Sequence, residues 1–282
     1  MITLKNEFLT AKINEKGAEV KSLKCGGTEY IWPGDPDIWA ASAPHVFPIC
    51  GGLKDDEYIL GGKTFTVGRH GYIRFELFEV ENITDTSVTF LHKSNDETKK
   101  QFPFDYEVRI TYTLSGKTLL LRYDVKNLSS GDMYFSIGGH TGYYCPEGIE
   151  EYDLILPEKE TLYSNTPVGP LVGREKELIL ENGDTLALDY KYFAVDALVF
   201  EDMKAREVVL KNRNSGKALR LSFDGSDYFL LWTKPGAPYI CLEAWSGIGD
   251  HPDTDKNINT KEGIITLGSG ESYALNHSTE IL

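Results

Sequence analysis

The chain has 282 residues, with 29 Lys and Arg against 43 Asp and Glu, for a formal net charge of −14. That balance excludes a nucleic-acid backbone and an anionic lipid surface as partners. No run approaches the roughly 18 consecutive apolar residues of a membrane span.

The first residues, Met1 to Glu7, lack the basic and apolar regions of a secretory leader. Cys25, Cys50, Cys145 and Cys241 lie far apart, with no C-x-x-C pair and no His at ligand spacing. They read as free thiols in a reducing compartment, neither a zinc site nor a disulfide framework, so a cytoplasmic location is expected. No composition shift, Gly/Ser linker or internal repeat divides the sequence. A single all-β domain over residues 1–282 is therefore expected.

Taken in order, strand signals dominate. Thr3 to Lys24 reads as two strands joined at Asn14 to Gly17, with Ile31-Trp32 on a third, and Pro36 to Trp39 reads as a short helix. Tyr58-Ile59-Leu60 and Thr64 to Val67 flank Gly61-Gly62 as a hairpin. A second short helix falls near Glu97 to Phe102. From Tyr106 to Leu114 apolar and polar residues alternate strictly; Ser115-Gly116-Lys117 turns the chain, and Leu119, Leu121, Tyr123 and Val125 resume the alternation. Further turns are expected at Asn182-Gly183-Asp184 and at Asn214-Ser215-Gly216, the latter between Glu207 to Lys211 and Ala218 to Phe223. Gly263 to Leu267 and Tyr273 to His277 close the sheet around Gly268-Ser269-Gly270. Many short strands at roughly 8- to 12-residue spacing predict an antiparallel sandwich or barrel with few short helices.

The most informative strand is Pro238 to Gly247, entered through a Gly-Ala-Pro turn at Gly236 to Pro238, with Gly247 and Gly249 at its end. Alternation puts Tyr239, Cys241, Glu243 and Trp245 on one face and Ile240, Leu242 and Ala244 on the other. A lone carboxylate in an uncharged strand is costly to bury in its ionised form. It is therefore paired, hydrated at a strand end, or poised as a base. The aromatic neighbours of Glu243 suit a sugar site, although a satisfied strand carboxylate remains open on the residues alone.

Two of the six histidines sit among glycines: His70, in Gly68-Arg69-His70-Gly71, and His140, in Gly138-Gly139-His140-Thr141-Gly142. Tyr134, Ser136, Gly138 and His140 are expected on one face of a single strand. His45, His92, His251 and His277 read as surface or structural. The acidic loop Gly249 to Asp255 lacks calcium-loop spacing and reads as solvated. No P-loop, G-x-G-x-x-G before a helix, G-x-S-x-G or H-E-x-x-H occurs.

In order and spacing, Phe47-Pro48-Ile49-Cys50-Gly51, His70-Gly71-Tyr72-Ile73-Arg74, Gly138-Gly139-His140, Asp196 to Phe200, Trp232 and Pro238 to Trp245 resemble the aldose 1-epimerases. Within them the resemblance is closest to the bacterial LacX-like branch. It implies a galactose mutarotase-like β-supersandwich that binds a small-molecule sugar on its concave face, with Glu243 as general base and His140 as general acid. His70 would orient the sugar and polarise it near its ring oxygen. Asp196 would hydrogen-bond sugar hydroxyls or satisfy a turn. Arg74 would touch the substrate, buttress His70 or make a surface ion pair. Trp232 and Trp245 would stack on a sugar face or pack the core. Two departures stand out: Gly52 where related sequences carry a sugar-contacting arginine, and Phe75 where an Asp commonly follows Arg74.

Opening and reclosing a hemiacetal moves one proton off the anomeric hydroxyl and one onto the ring oxygen, so the resemblance implies no metal and no cofactor. The expected activity is interconversion of the α and β anomers of a hexose. The alternatives are a hexose-6-phosphate 1-epimerase, which needs a cationic pocket, and a non-catalytic carbohydrate-binding protein. A glycoside hydrolase would need a second carboxylate across the bond. The oligomeric state is not set by the sequence.

Overall fold

The computed structural model describes residues 1–282. Its largest sheet has nine antiparallel strands. The order is Leu171–Ala187, Tyr152–Val168, Glu207–Asn212, Ala218–Ser222, Ser272–Ile281, Thr118–Asn127, Tyr106–Ser115, Ser87–Lys93 and Glu79–Ile83. A smaller sheet runs Leu198–Phe200, Tyr228–Trp232, Tyr239–Trp245, Gly138–Gly139 and His45–Val46, with Thr141–Tyr144 also paired to Tyr239–Trp245. Ile2–Lys5, Leu9–Ile13, Val20–Cys25 and Thr28–Glu29 form a separate meander. The sole α-helix is the single turn Thr98–Gln101. No helix is long and apolar enough to cross a membrane.

Alternation explains how the two sheets meet. Tyr106, Val108, Ile110, Tyr112 and Leu114 are buried while the residues between them are not. Their partners across the hairpin include Val125 and Tyr123. These side chains share one continuous apolar cluster with Ile240, Leu242 and Ala244 of the smaller sheet. Each fully buried aliphatic or aromatic side chain contributes about 1.5–3 kcal/mol. The opposite face of Tyr239–Trp245 is thereby turned away from the core, as the alternation predicts.

Several local expectations change. Thr3 to Lys24 holds three strands rather than two, because Asn6 makes an extra turn by accepting the Phe8 and Leu9 amides on its side-chain oxygen. Ile31 makes only an isolated bridge, to Tyr143. Pro36 to Trp39 is a tight turn closed by the Asp35 N–H on the Trp39 carbonyl, not a helix. Asn182-Gly183-Asp184 does not reverse the chain: it is an irregularity inside Leu171–Ala187, with Asn182 at φ 42°. The turn at Gly268 to Gly270 passes the chain between two sheets rather than closing one, since Ile265–Leu267 pairs with Met133–Phe135 and Ser272–Ile281 with Thr118–Asn127. Met133 to Tyr144 is broken into three short strands, and Ser136 turns inward to accept the Cys50 amide at 2.8 Å.

Candidate active site

Gly138 pairs with Trp245 and Thr141 with Leu242. Both pairings give one register, and it sets His140 opposite Glu243. Residues opposite each other on antiparallel strands project to the same face. His140 Nδ1 accordingly lies 3.4 Å from Glu243 Oε1, on the face away from the core. Both side chains are buried, Glu243 at 2% exposure and His140 at 8%. Trp245 fits beside them because residue 138 is glycine: a Cβ there would stand 2.5 Å from Trp245 Cδ1 and 2.6 Å from the Ala244 carbonyl oxygen.

Burial sets the charge state of the pair. Desolvation pushes the Glu243 carboxyl well above the usual carboxylate range, with the Arg69 charge opposing and the Asp196 charge adding to the shift. Desolvation, reinforced by Arg74 and Arg69, pushes the His140 imidazole down to about 3. The low-dielectric floor therefore favours a protonated carboxyl beside a neutral imidazole.

His70 arrives from a loop. It holds a left-handed φ of 67°, unusual outside glycine, through reciprocal bonds with Gly51. The His70 amide donates to the Gly51 carbonyl at 2.7 Å, and the Gly51 amide donates to His70 Nδ1 at 3.3 Å. An Nδ1 that accepts leaves the ring proton on Nε2. Burial and the nearby His140, Arg69 and Arg74 hold the His70 imidazole well below its ordinary range, so this neutral tautomer persists. Its ring packs edge-on to His140 and to Trp245, each at 5.4 Å.

Above this floor opens a cavity of about 470 Å³. Glu243, His140, His70, Asp196, Arg74, Trp232 and Trp245 all line it, joined by Trp39, Arg69 and Phe75. Asp196 does two things at once, accepting from the Ala197 amide at 2.9 Å and pairing with Arg69 at 3.1 Å. Arg74 makes no surface ion pair; it donates to the Arg69 carbonyl at 2.9 Å, and its Nε is buried without a partner. Trp245 is chiefly a packing residue, buried among Val46, Val199 and Leu230 with its N–H on the Gly139 carbonyl. Trp232 is half-buried and stands edge-on to His140 at 5.6 Å.

Trp39 is the wall residue the sequence did not single out. It stacks on Tyr239 at 5.1 Å and lies 5.3 Å from His140. No local motif marks it, because its position depends on the Asp35–Trp39 turn. The four remaining histidines are all buried, which removes the surface reading. His45 bridges Tyr123 and Tyr112 at 2.8 Å each, His92 contacts Glu76, His277 contacts Ser226, and His251 contacts the Val172 carbonyl. The loop expected to be solvated is likewise buried at Asp250 and His251, because Lys261 neutralises Asp250 at 3.2 Å. At Gly52 the Pro170 carbonyl closes in: a Cβ would stand 2.8 Å from its oxygen. His140, Cys241 and Glu243 also offer one metal-ligating atom each within 4.8 Å of one another.

Comparison with known proteins gives three findings. A family model described as aldose 1-epimerase matches residues 1–280. The chromosomal protein LacX of Lactococcus lactis subsp. lactis is 38% identical over 281 residues, covering 94% of each chain. Two solved structures superpose along the whole chain. One is a galactose mutarotase related enzyme from Lactobacillus acidophilus, with TM-score 0.95, 32% identity, and 100% of this chain and 97% of that one covered. The other is a galactose mutarotase-like protein from Lactobacillus casei, with TM-score 0.93, 29% identity and all of both chains covered. The fold is thus the galactose mutarotase-like β-supersandwich.

Proposed function

The chain belongs to the aldose 1-epimerase family, and from that premise we propose that it interconverts the α and β anomers of a free hexose, with Glu243 as base and His140 as acid. The observation that carries the reading is the facing pair itself, Nδ1 to Oε1 at 3.4 Å, at the floor of a cavity walled by Trp39 and Trp232.

One proton shared between Glu243 and His140 suffices for the cycle. With the proton on His140 the pair is ionic, and the carboxylate is ready to accept while the imidazolium is ready to donate. Glu243 takes the proton of the anomeric hydroxyl as His140 gives its proton to the ring oxygen, and the C1–O5 bond breaks. The pair is then neutral, the form that burial favours, and the sugar is an open aldehyde. Rotation about C1–C2 presents the other carbonyl face. Closure returns the proton from the ring hydroxyl to His140 and from Glu243 to the new anomeric oxygen. Each positioned group supplies about 10²- to 10⁴-fold. His70 Nε2–H serves as a hydrogen-bond donor to the sugar, and Asp196 and Arg69 hold hydroxyls at the rim.

A second reading rests on the cations at the mouth. Arg74 has no carboxylate partner and Arg69 is half-exposed beside it, which suits a hexose 6-phosphate. Polarimetry decides between them. Freshly dissolved α-glucose or α-galactose should reach equilibrium rotation faster with the protein than in buffer. Acceleration confined to 6-phosphates selects the second reading, and sugar binding without any acceleration overturns both.

A further inference from the structure

Cys241 is fully buried beside the pair, packed with Trp32, Ala237 and Tyr239, and the proton cycle leaves its thiol idle. It lies two residues before Glu243 on the same strand face, and the strand register brings His140 across from Glu243. We propose that the imidazole of His140, the thiol of Cys241 and the carboxylate of Glu243 form a binding site for a thiophilic divalent cation of the zinc and cadmium class.

Three observations support it. The ligand atoms already lie within 4.8 Å of one another. Ligands about 2.0–2.3 Å from a tetrahedral zinc need only a modest contraction from there. All three residues stand on paired strands or their immediate junction rather than on a mobile loop, so the set is held by the sheet. His140 Nδ1 is buried without a hydrogen-bond partner. A neutral imidazole in that position has a lone pair to give.

The donor set fixes the class of ion. Sulfur with one nitrogen and one oxygen suits zinc or cadmium, whereas magnesium and calcium require oxygen throughout. Three protein donors leave a fourth position for a water from the cavity above. The thiolate, not the thiol, is the ligand, so the ion displaces the Cys241 proton. Binding is then Cys–SH plus M²⁺ giving Cys–S–M⁺ plus H⁺, with a further proton released from the Glu243 carboxyl. Affinity rises with pH accordingly. Occupancy ties up the base and the acid together, so the ion acts as an inhibitor that competes with sugar. That last consequence rests on the sugar reading; the binding itself does not.

The test is a titration of metal-free protein with Cd²⁺, following the thiolate-to-metal charge-transfer band in the ultraviolet and proton release in weak buffer. One equivalent should produce the band, with excess Zn²⁺ bleaching it. Cys241→Ser should abolish it, and His140→Asn should keep it while weakening binding at least tenfold. Cys50→Ser and Cys25→Ser should leave band and affinity unchanged. Absence of a band, or a band that survives Cys241→Ser or disappears with Cys25→Ser, overturns the site. Should Cys241→Ser fail to fold, as melting will report, the His140→Asn weakening decides alone. Polarimetry without metal is unaffected by either result, so failure here and failure of the epimerase reading are separate.

Discussion

His140 and Glu243 face each other across two paired strands, Nδ1 to Oε1 at 3.4 Å, each too buried to hold its charge alone. Groups that act as one unit lose little more when both are removed than when either is. Glu243→Gln and His140→Asn should each lower the polarimetric rate by about 10²- to 10⁴-fold. The double variant should sit close to the slower single one. Additive losses would mean that the two residues do not share a proton.

Trp232 presents a half-buried ring to the cavity beside His140. A stacking wall binds ground state and transition state alike, so its loss should appear in KM. Trp232→Ala should raise KM about tenfold, roughly 1.4 kcal/mol, and change kcat by less than about threefold. A drop in kcat alone would assign Trp232 to the chemistry instead.

Stability should fall on acidification. Burial holds His45 down to about 4 and His140 and His277 down to about 3. In the unfolded chain each titrates near 6.5. A depressed folded pKa gives stability that is complete above the unfolded value and lost as pH falls toward the folded one. The melting temperature should therefore decline from about pH 6.5 downward, through the window that ends near 4 for His45 and near 3 for the other two. Removing one of these imidazoles should shallow the slope of ΔG by up to about 1.36 kcal/mol per pH unit.

His45 also joins Tyr123 and Tyr112 in the core, where Tyr112 donates to the Ala18 carbonyl at 2.9 Å. Truncating a buried group leaves its partners unsatisfied. His45→Ala should cost about 2–4 kcal/mol in denaturant unfolding. A change under about 0.5 kcal/mol would show that the network contributes nothing.

Two glycines should resist substitution for steric reasons. Gly138→Ala would drive a methyl into Trp245 and the Ala244 carbonyl, with an expected cost of about 2–4 kcal/mol. Gly52→Arg meets the Pro170 carbonyl at its first side-chain carbon. It should lower the melting temperature without raising the rate. A faster, equally stable Gly52→Arg protein would show that the loop yields freely.

The alternation of Tyr106 to Leu114, the hairpin turns and the two faces of Tyr239–Trp245 were legible because each is a local pattern with a local cause. So was the company of Glu243 with aromatics. What was not legible depends on chain segments meeting. Trp39 lines the cavity through a turn with no sequence mark, and buried Asp250 is matched by Lys261, eleven positions on, and by the distant Lys54 amide. Cys241 and Glu243 are two residues apart on a strand, a spacing that resembles no metal motif until His140 is set opposite. Ser136 escapes the alternation expected to align it with Gly138 and His140, because it lies in the break between Met133–Phe135 and Gly138–Gly139.

The paired strands Tyr152–Val168 and Leu171–Ala187 bear on how such a protein diverges. Only Tyr152 to Ile155 pair with a third strand; beyond them the two arms bond mainly to each other, out to the tip whose Pro170 abuts Gly52. A tip carried on a self-paired arm can lengthen, shorten or change its residues with little effect on the pairing of the other strands. None of the arm's residues lines the cavity that holds Glu243 and His140, so changes at its tip leave the lining of that cavity as it is.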